Sequence, residues 1–187
     1  RDKYNGGTIF VNGVNTTISH SNFSRSKSMG DQYSRGGAID IQGDNTTILD
    51  CDFYDCQSHF GGVIYVSGAN AVIDSTSVNK SKAYEGGAIY ISGDNTNISQ
   101  SNFIDIDADN YGGAIYLAGN NANISKSNFD DCTVKQYHGG AIYIAGEYTV
   151  IEDSNFTSCV ALSKVARGGA IDIQGEHTSV TNSNFIE

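Results

Sequence analysis

Apolar and polar residues alternate along this chain in short bursts, and the bursts recur. The stretch Gly86-Gly87-Ala88-Ile89-Tyr90-Ile91-Ser92-Gly93 returns seven times with small changes, its Gly-Gly pairs opening at positions 6, 36, 61, 86, 112, 139 and 168. Aligned on the glycines, the copies read Gly-Gly-small-Ile-x-aliphatic-x-Gly-x-Asn-x-x-Ile-x-x-Ser-x-Phe. The step from the first Gly to the Phe position is seventeen residues in every copy, and the gap from there to the next Gly-Gly varies between eight and thirteen. Elements that lie on equivalent elements cannot change length, whereas one connection per unit can, so the pattern predicts a solenoid of stacked coils.

Within a unit the alternation has the period of a strand. In the second copy it predicts three short strands, which hold inward Ile39 and Ile41, then Thr46 and Ile48, then Cys51 and Phe53. Turns are expected at Gly43-Asp44-Asn45 and Leu49-Asp50. Seven coils of 25–30 residues with three strands each describe an all-β parallel β-helix, a rod of roughly 34 Å if each coil advances the strand spacing of about 4.8 Å. Closely spaced turns and β-branched alternation exclude an α-solenoid. Stacking converts each alignment column into a ladder: Ile9 to Ile171, Val11 to Ile173, Ile18 to Val180, and the Phe column from Phe23 to Phe185. Asn15, Asn45, Asn70, Asn95 and Asn121 form a turn column suited to left-handed backbone and to hydrogen bonding along the stack. Tyr148 and His177 take their place in the last two coils.

Composition adds partners to exclude. With 21 acidic against 11 basic residues the net charge is -10, which repels nucleic-acid phosphates and anionic lipid. No apolar run approaches the roughly 18 residues of a membrane span, and the residues from Arg1 onward do not read as a targeting leader. The chain opens just ahead of a Gly-Gly and stops just after a core-type Phe, without polar caps. Residues 1–187 are therefore expected to be one β-helix domain from a longer repeat protein, or a unit that associates end to end.

The repeat GGAIYISGDNTNISQSNF resembles those of methanogen adhesin-like proteins, and its GGAI element is shared with polymorphic outer-membrane proteins. The resemblance covers essentially the whole chain and implies a right-handed, pectate-lyase-like β-helix. It also implies a secreted archaeal protein at the cell surface that touches other cells or extracellular polysaccharide. The outer-membrane family has Asn three residues after the Phe, where this chain has Ser26, Cys56, Ser81, Ile106, Cys132 and Cys159; that favours the adhesin-like type. The expected function is a non-enzymatic adhesive rod. A structural stalk or filament unit, and a polysaccharide lyase or hydrolase of the same fold, are the alternatives.

Several positions carry candidate chemistry. The outward position of the first strand reads Phe10, Asp40, Tyr65, Tyr90, Tyr116, Tyr143, Asp172, whose four consecutive tyrosines form an aromatic strip that could accept sugar rings or simply stabilise the sheet. The only acids on it, Asp40 and Asp172, lie five coils apart, too far to act as a glycosidase pair. Asp105, Asp107 and Asp109 have the alternate spacing of a calcium loop but lack its closing Glu; no other cofactor is suggested. Asn22, Asn79 and Asn155 are candidate N-glycosylation sites. Cys56, Cys132 and Cys159 share an inward column, with Cys132 and Cys159 near enough in adjacent coils for a disulfide to be considered. The nonapeptide RGGAIDIQG occurs at 35–43 and again at 167–175, pointing to duplication of larger blocks.

Overall fold

A computed structural model describes residues 7–28, 30 and 32–187; Gly6, which opens the first repeat, lies outside them. The chain winds into a parallel β-solenoid of about seven turns with three parallel sheets. Ile9–Val11, Ile39–Ile41, Ile64–Val66, Ile89–Ile91, Ile115–Leu117, Ile142–Ile144 and Ile171–Ile173 form the first sheet, in that order. The second runs from Thr17–Ser19 to Ser179–Thr181 and the third from Asn22–Ser24 to Asn184–Ile186. Register follows the alignment columns, Ile89 lying between Ile64 and Ile115 and Ile98 between Ile73 and Ile124.

The core is what the alternation predicts. Ile39, Ile41, Thr46, Ile48 and Cys51 have no exposed surface and Phe53 only 2%. The Phe column stacks face to face at centroid distances of 4.8–4.9 Å, from Phe23 to Phe53 and from Phe103 through Phe129 and Phe156 to Phe185. Val78 interrupts it. Beside the Phe column runs a buried hydroxyl ladder: the N–H of Ser101 donates to the Ser127 hydroxyl and that of Ser127 to Ser154, each 3.2 Å, while each hydroxyl donates to the carbonyl two residues back. The core therefore stays polar-satisfied along one seam.

The corners turn on left-handed backbone. Asn45, Asp50 and Asp55 have φ of 56°, 49° and 52°, and the same five-residue spacing recurs at 70, 75 and 80, at 95, 100 and 105, and in later coils. A non-glycine residue there costs roughly 1–2 kcal/mol, and Asn and Asp tolerate it best because their short side chains bond locally. In the first corner the amides also bond along the axis, Asn70 Nδ2 donating to Asn45 Oδ1 at 3.1 Å and Asn95 to Asn70 at 3.0 Å. Where the asparagines end, Tyr148 and His177 replace the rung with stacked rings at 4.7 Å.

The connection from Phe to Gly-Gly, the part of the unit that varies in length, is strand in the middle of the molecule. Ser77–Glu85, Asn102–Tyr111 and Asn128–Val134 continue the third sheet past the left-handed corners at Lys80, Asp105 and Asp131. Their inward positions are buried, Ser81, Ile106 and Cys132 in one column and Ala83, Ala108 and Val134 in the next. Each of these coils thereby gains a fourth side.

Candidate functional site

The tyrosine strip faces away from the core, but it is not an open platform. Tyr65 is buried, and Tyr90, Tyr116 and Tyr143 are half-buried. Their rings lie face to face along the axis, at 5.2 Å from Tyr65 to Tyr90, 4.6 Å from Tyr90 to Tyr116 and 5.2 Å from Tyr116 to Tyr143. Each face is thus occupied by the next tyrosine, and only edges and hydroxyls turn outward. Residues that immediately precede a Gly-Gly fold over the strip as a second layer at Arg35, Phe60, Tyr111 and His138. The Arg35 guanidinium sits 4.7 Å over the Tyr65 ring, Phe60 meets Tyr90 edge-on at 5.2 Å, and Tyr111 lies 4.8 Å from Tyr143. Burial pushes the Tyr116 hydroxyl up to about 12, aided by the nearby Glu85 carboxylate, and Tyr90 is raised by the same causes.

Asp40 and Asp172 close the strip at its two ends, and both are buried. Gln42 Nε2 donates to Asp40 Oδ2 at 3.2 Å and Gln174 Nε2 to Asp172 Oδ1 at 2.8 Å. His138 Nδ1 lies 3.9 Å from Asp172 Oδ2. The duplicated nonapeptide therefore encodes a local unit in which Gln holds the buried Asp and Arg precedes the turn. Asp40 Oδ1 and Asp172 Oδ2 are buried without a hydrogen-bond partner among the described residues.

Burial raises the Asp40 pKa from 3.8 to about 6, against the opposing pull of Gln42 and Arg35. The native state then keeps a proton that the unfolded chain has released. This carboxyl favours folding below about pH 4 and loses that contribution as pH rises through 6. Asp40→Asn is expected to gain stability over the parent as pH rises from 4 to 7, reaching on the order of 2–3 kcal/mol. Urea unfolding at stepped pH measures the gap, and a difference that is constant with pH contradicts the assignment.

The three aspartates with calcium-loop spacing take different places on the coil. Asp105 turns the corner, while Asp107 and Asp109 look outward from the strand toward Lys135, whose Nζ is 3.0 Å from Asp109 Oδ1 and 4.0 Å from Asp107 Oδ2. Among the described residues no three His, Cys, Asp or Glu side chains are arranged to hold a metal.

Asn22 is exposed, whereas Asn79 lies half-buried within a strand rather than opening a loop. Asn155 is outward but is a rung of an amide ladder, donating to Asn128 Oδ1 and accepting from Asn184 Nδ2, both at 2.8 Å. Cys132 and Cys159 are free thiols on neighbouring coils, aligned by the pairing of Thr133 with Val160. Their shared hydrogen bond raises the Cys132 pKa and lowers that of Cys159.

What the strip does not offer, the connections do. Tyr84 and Tyr137, two residues before their Gly-Gly, are 37% and 39% exposed, and Tyr33 is 50% exposed. The signal was a recurring aromatic or His (His59, Tyr84, Tyr137) at a fixed offset from the glycines, outside the constant repeat. Charge is divided the same way. Beyond the first Gly-Gly, every Lys and Arg except Lys126 lies in these connections, so the acidic surplus belongs to the stretches from Gly-Gly to Phe.

Connection length shapes this edge. The first described connection spans thirteen residues from Phe23 to Gly36, and the next two span eight each. A long segment beside short ones leaves a notch over His59 and Phe60. On one side is a cleft of about 390 Å³ walled by Gln32, Gln57, His59, Lys82, Tyr84 and Asp109; on the other, a smaller one of about 170 Å³ is lined by Tyr33, Arg35, Phe60, Tyr65 and Tyr90.

No protein family, curated protein or solved structure matches this chain. Its geometry places it among proteins by fold alone, as a parallel β-solenoid of about seven turns built on three sheets.

Proposed function

We propose that this chain is a rigid, non-enzymatic rod of the adhesin-like kind, acting outside the cell and holding extracellular polysaccharide along its connection edge. The observation that carries the reading is the continuity of the ladders: all three sheets run in register through every coil, giving a stiff body. Three exposed tyrosines, Tyr33, Tyr84 and Tyr137, and most of the basic residues lie in the connections. A rod places that edge at a distance from whatever carries it, and Tyr offers a partner apolar area with a polar tip.

A stalk without adhesive role is the second reading, favoured by the same ladders and by the closing of the tyrosine faces. A polysaccharide array that includes cell-wall polymers separates the two, run on the chain beside a Tyr33→Ser, Tyr84→Ser, Tyr137→Ser variant with unchanged melting. Binding that falls at least tenfold in the variant is the expected result. Capture of no polymer by either protein would leave the stalk, and capture unaffected by the variant would move the contact off this edge.

A further inference from the structure

We propose that the larger cleft of the notch is a binding site for one neutral pyranose unit, an inference that rests on the adhesive reading and names its ligand class. At about 390 Å³ the cleft lies within the range of small-molecule sites, which combine apolar walls with a few convergent polar groups. One wall is the stacked pair His59 and Tyr84, their rings 4.5 Å apart and nearly parallel. This pair presents ring edges and an apolar flank beside the Tyr84 hydroxyl. Gln32 and Gln57 bring side-chain amides, each both donor and acceptor, which is the chemistry that meets a hydroxyl group.

The floor is pre-formed. The Gln57 N–H donates to the Ser26 carbonyl and the Lys82 N–H to the Cys56 carbonyl, both at 3.0 Å, so the backbone beneath the cleft is pinned to the stack. Little ordering remains to be done when a ligand arrives.

Charge selects the class. Lys82 and Asp109 line the same cleft with opposite signs, and Asp109 also accepts a hydrogen bond from Lys135 at 3.0 Å. An anionic sugar would face Asp109 on a chain of net charge -10, and a cationic amino sugar would face Lys82 with Lys135 close by. A neutral ring meets neither penalty, and its hydroxyls can both donate to Asp109 and accept from Lys82.

The test is titration of the isotopically labelled chain with methyl glucoside, methyl galactoside, methyl mannoside and methyl N-acetylglucosaminide, with glucuronate and glucosamine as charged controls, followed by amide chemical shifts. At least one neutral glycoside is expected to move the amides of Gln57, His59, Lys82 and Tyr84. Tyr84→Ala should weaken that binding at least fivefold, and Gln57→Ala serves as the second variant should the first disturb the fold. Shifts confined to other parts of the chain, tighter binding of glucuronate or glucosamine, or no shift with any neutral glycoside overturns the assignment. If polysaccharide is captured on the array while no glycoside enters the cleft, the site is wrong and the adhesive edge stands. Glycoside in the cleft without capture of polymer means the reverse.

Discussion

Gly87→Ala will abolish the stable fold or lower its melting temperature by more than ten degrees, while Gly169→Ala will be tolerated. A Cβ on Gly87 runs into the carbonyl oxygen of Gly113 in the next coil and lies within 2.5 Å of the Asp107 carbonyl oxygen. Both obstacles are backbone held in the stack, so neither can swing aside as a flexible side chain would. The cost is about 4 kcal/mol or more, in the exceptional range reserved for forced backbone shifts and overpacking. At Gly169 the nearest such neighbour is the Cys159 carbonyl oxygen at 3.7 Å, an ordinary contact. Thermal unfolding of the two variants side by side reads the difference. Equal losses would mean that local strand propensity, and not approach between coils, sets the need for glycine.

Phe129→Ala is expected to cost about 3–5 kcal/mol, the range for emptying a buried aromatic site. Phe129 is 1% exposed and is sandwiched between Phe103 at 4.9 Å and Phe156 at 4.8 Å. Removal opens a hole with rings on both sides that the stack cannot close, because the flanking coils are fixed by sheet hydrogen bonds. The same change at Phe185, which is 54% exposed and has one stacked neighbour, should cost less than about 1.5 kcal/mol, since little transfer energy is at stake. Denaturant unfolding of both proteins tests this. Similar midpoints would show that the ladder contributes through each ring alone and not through its sandwich.

The periodicity carried the fold because the determinants of a solenoid are local and repeated. Ile39, Ile41, Ile48 and Phe53 announce the strands by alternation, and Asn45 and Asn70 announce a corner by residue type. The second corner was legible only by its place between strands, at Leu49-Asp50, since Asp50, Ser75, Gln100 and Lys126 share its left-handed position but no chemistry that an alignment displays, and the third, at Asp55, Lys80 and Asp105, was hidden. The site was less legible for a different reason. That Tyr90 faces away from the core follows from the pleat, but whether it meets water depends on Phe60 and Glu85, which reach it from the neighbouring connections. Asp40 is the clearest case, an outward acid by alternation that has no exposed surface. Unequal connection lengths were visible in the sequence, yet a notch exists only when a long one stacks beside a short one.

The constant seventeen-residue interval from Gly-Gly to Phe has a consequence for growth of the molecule. Every interior coil offers its neighbours nearly the same surface above and below, so a whole coil can enter or leave the series without disturbing the pairing on either side. Length then changes in equal increments of about 4.8 Å, while the edge carried by each coil keeps its own identity. The protein is a ruler, and its graduations are written in connections of differing length.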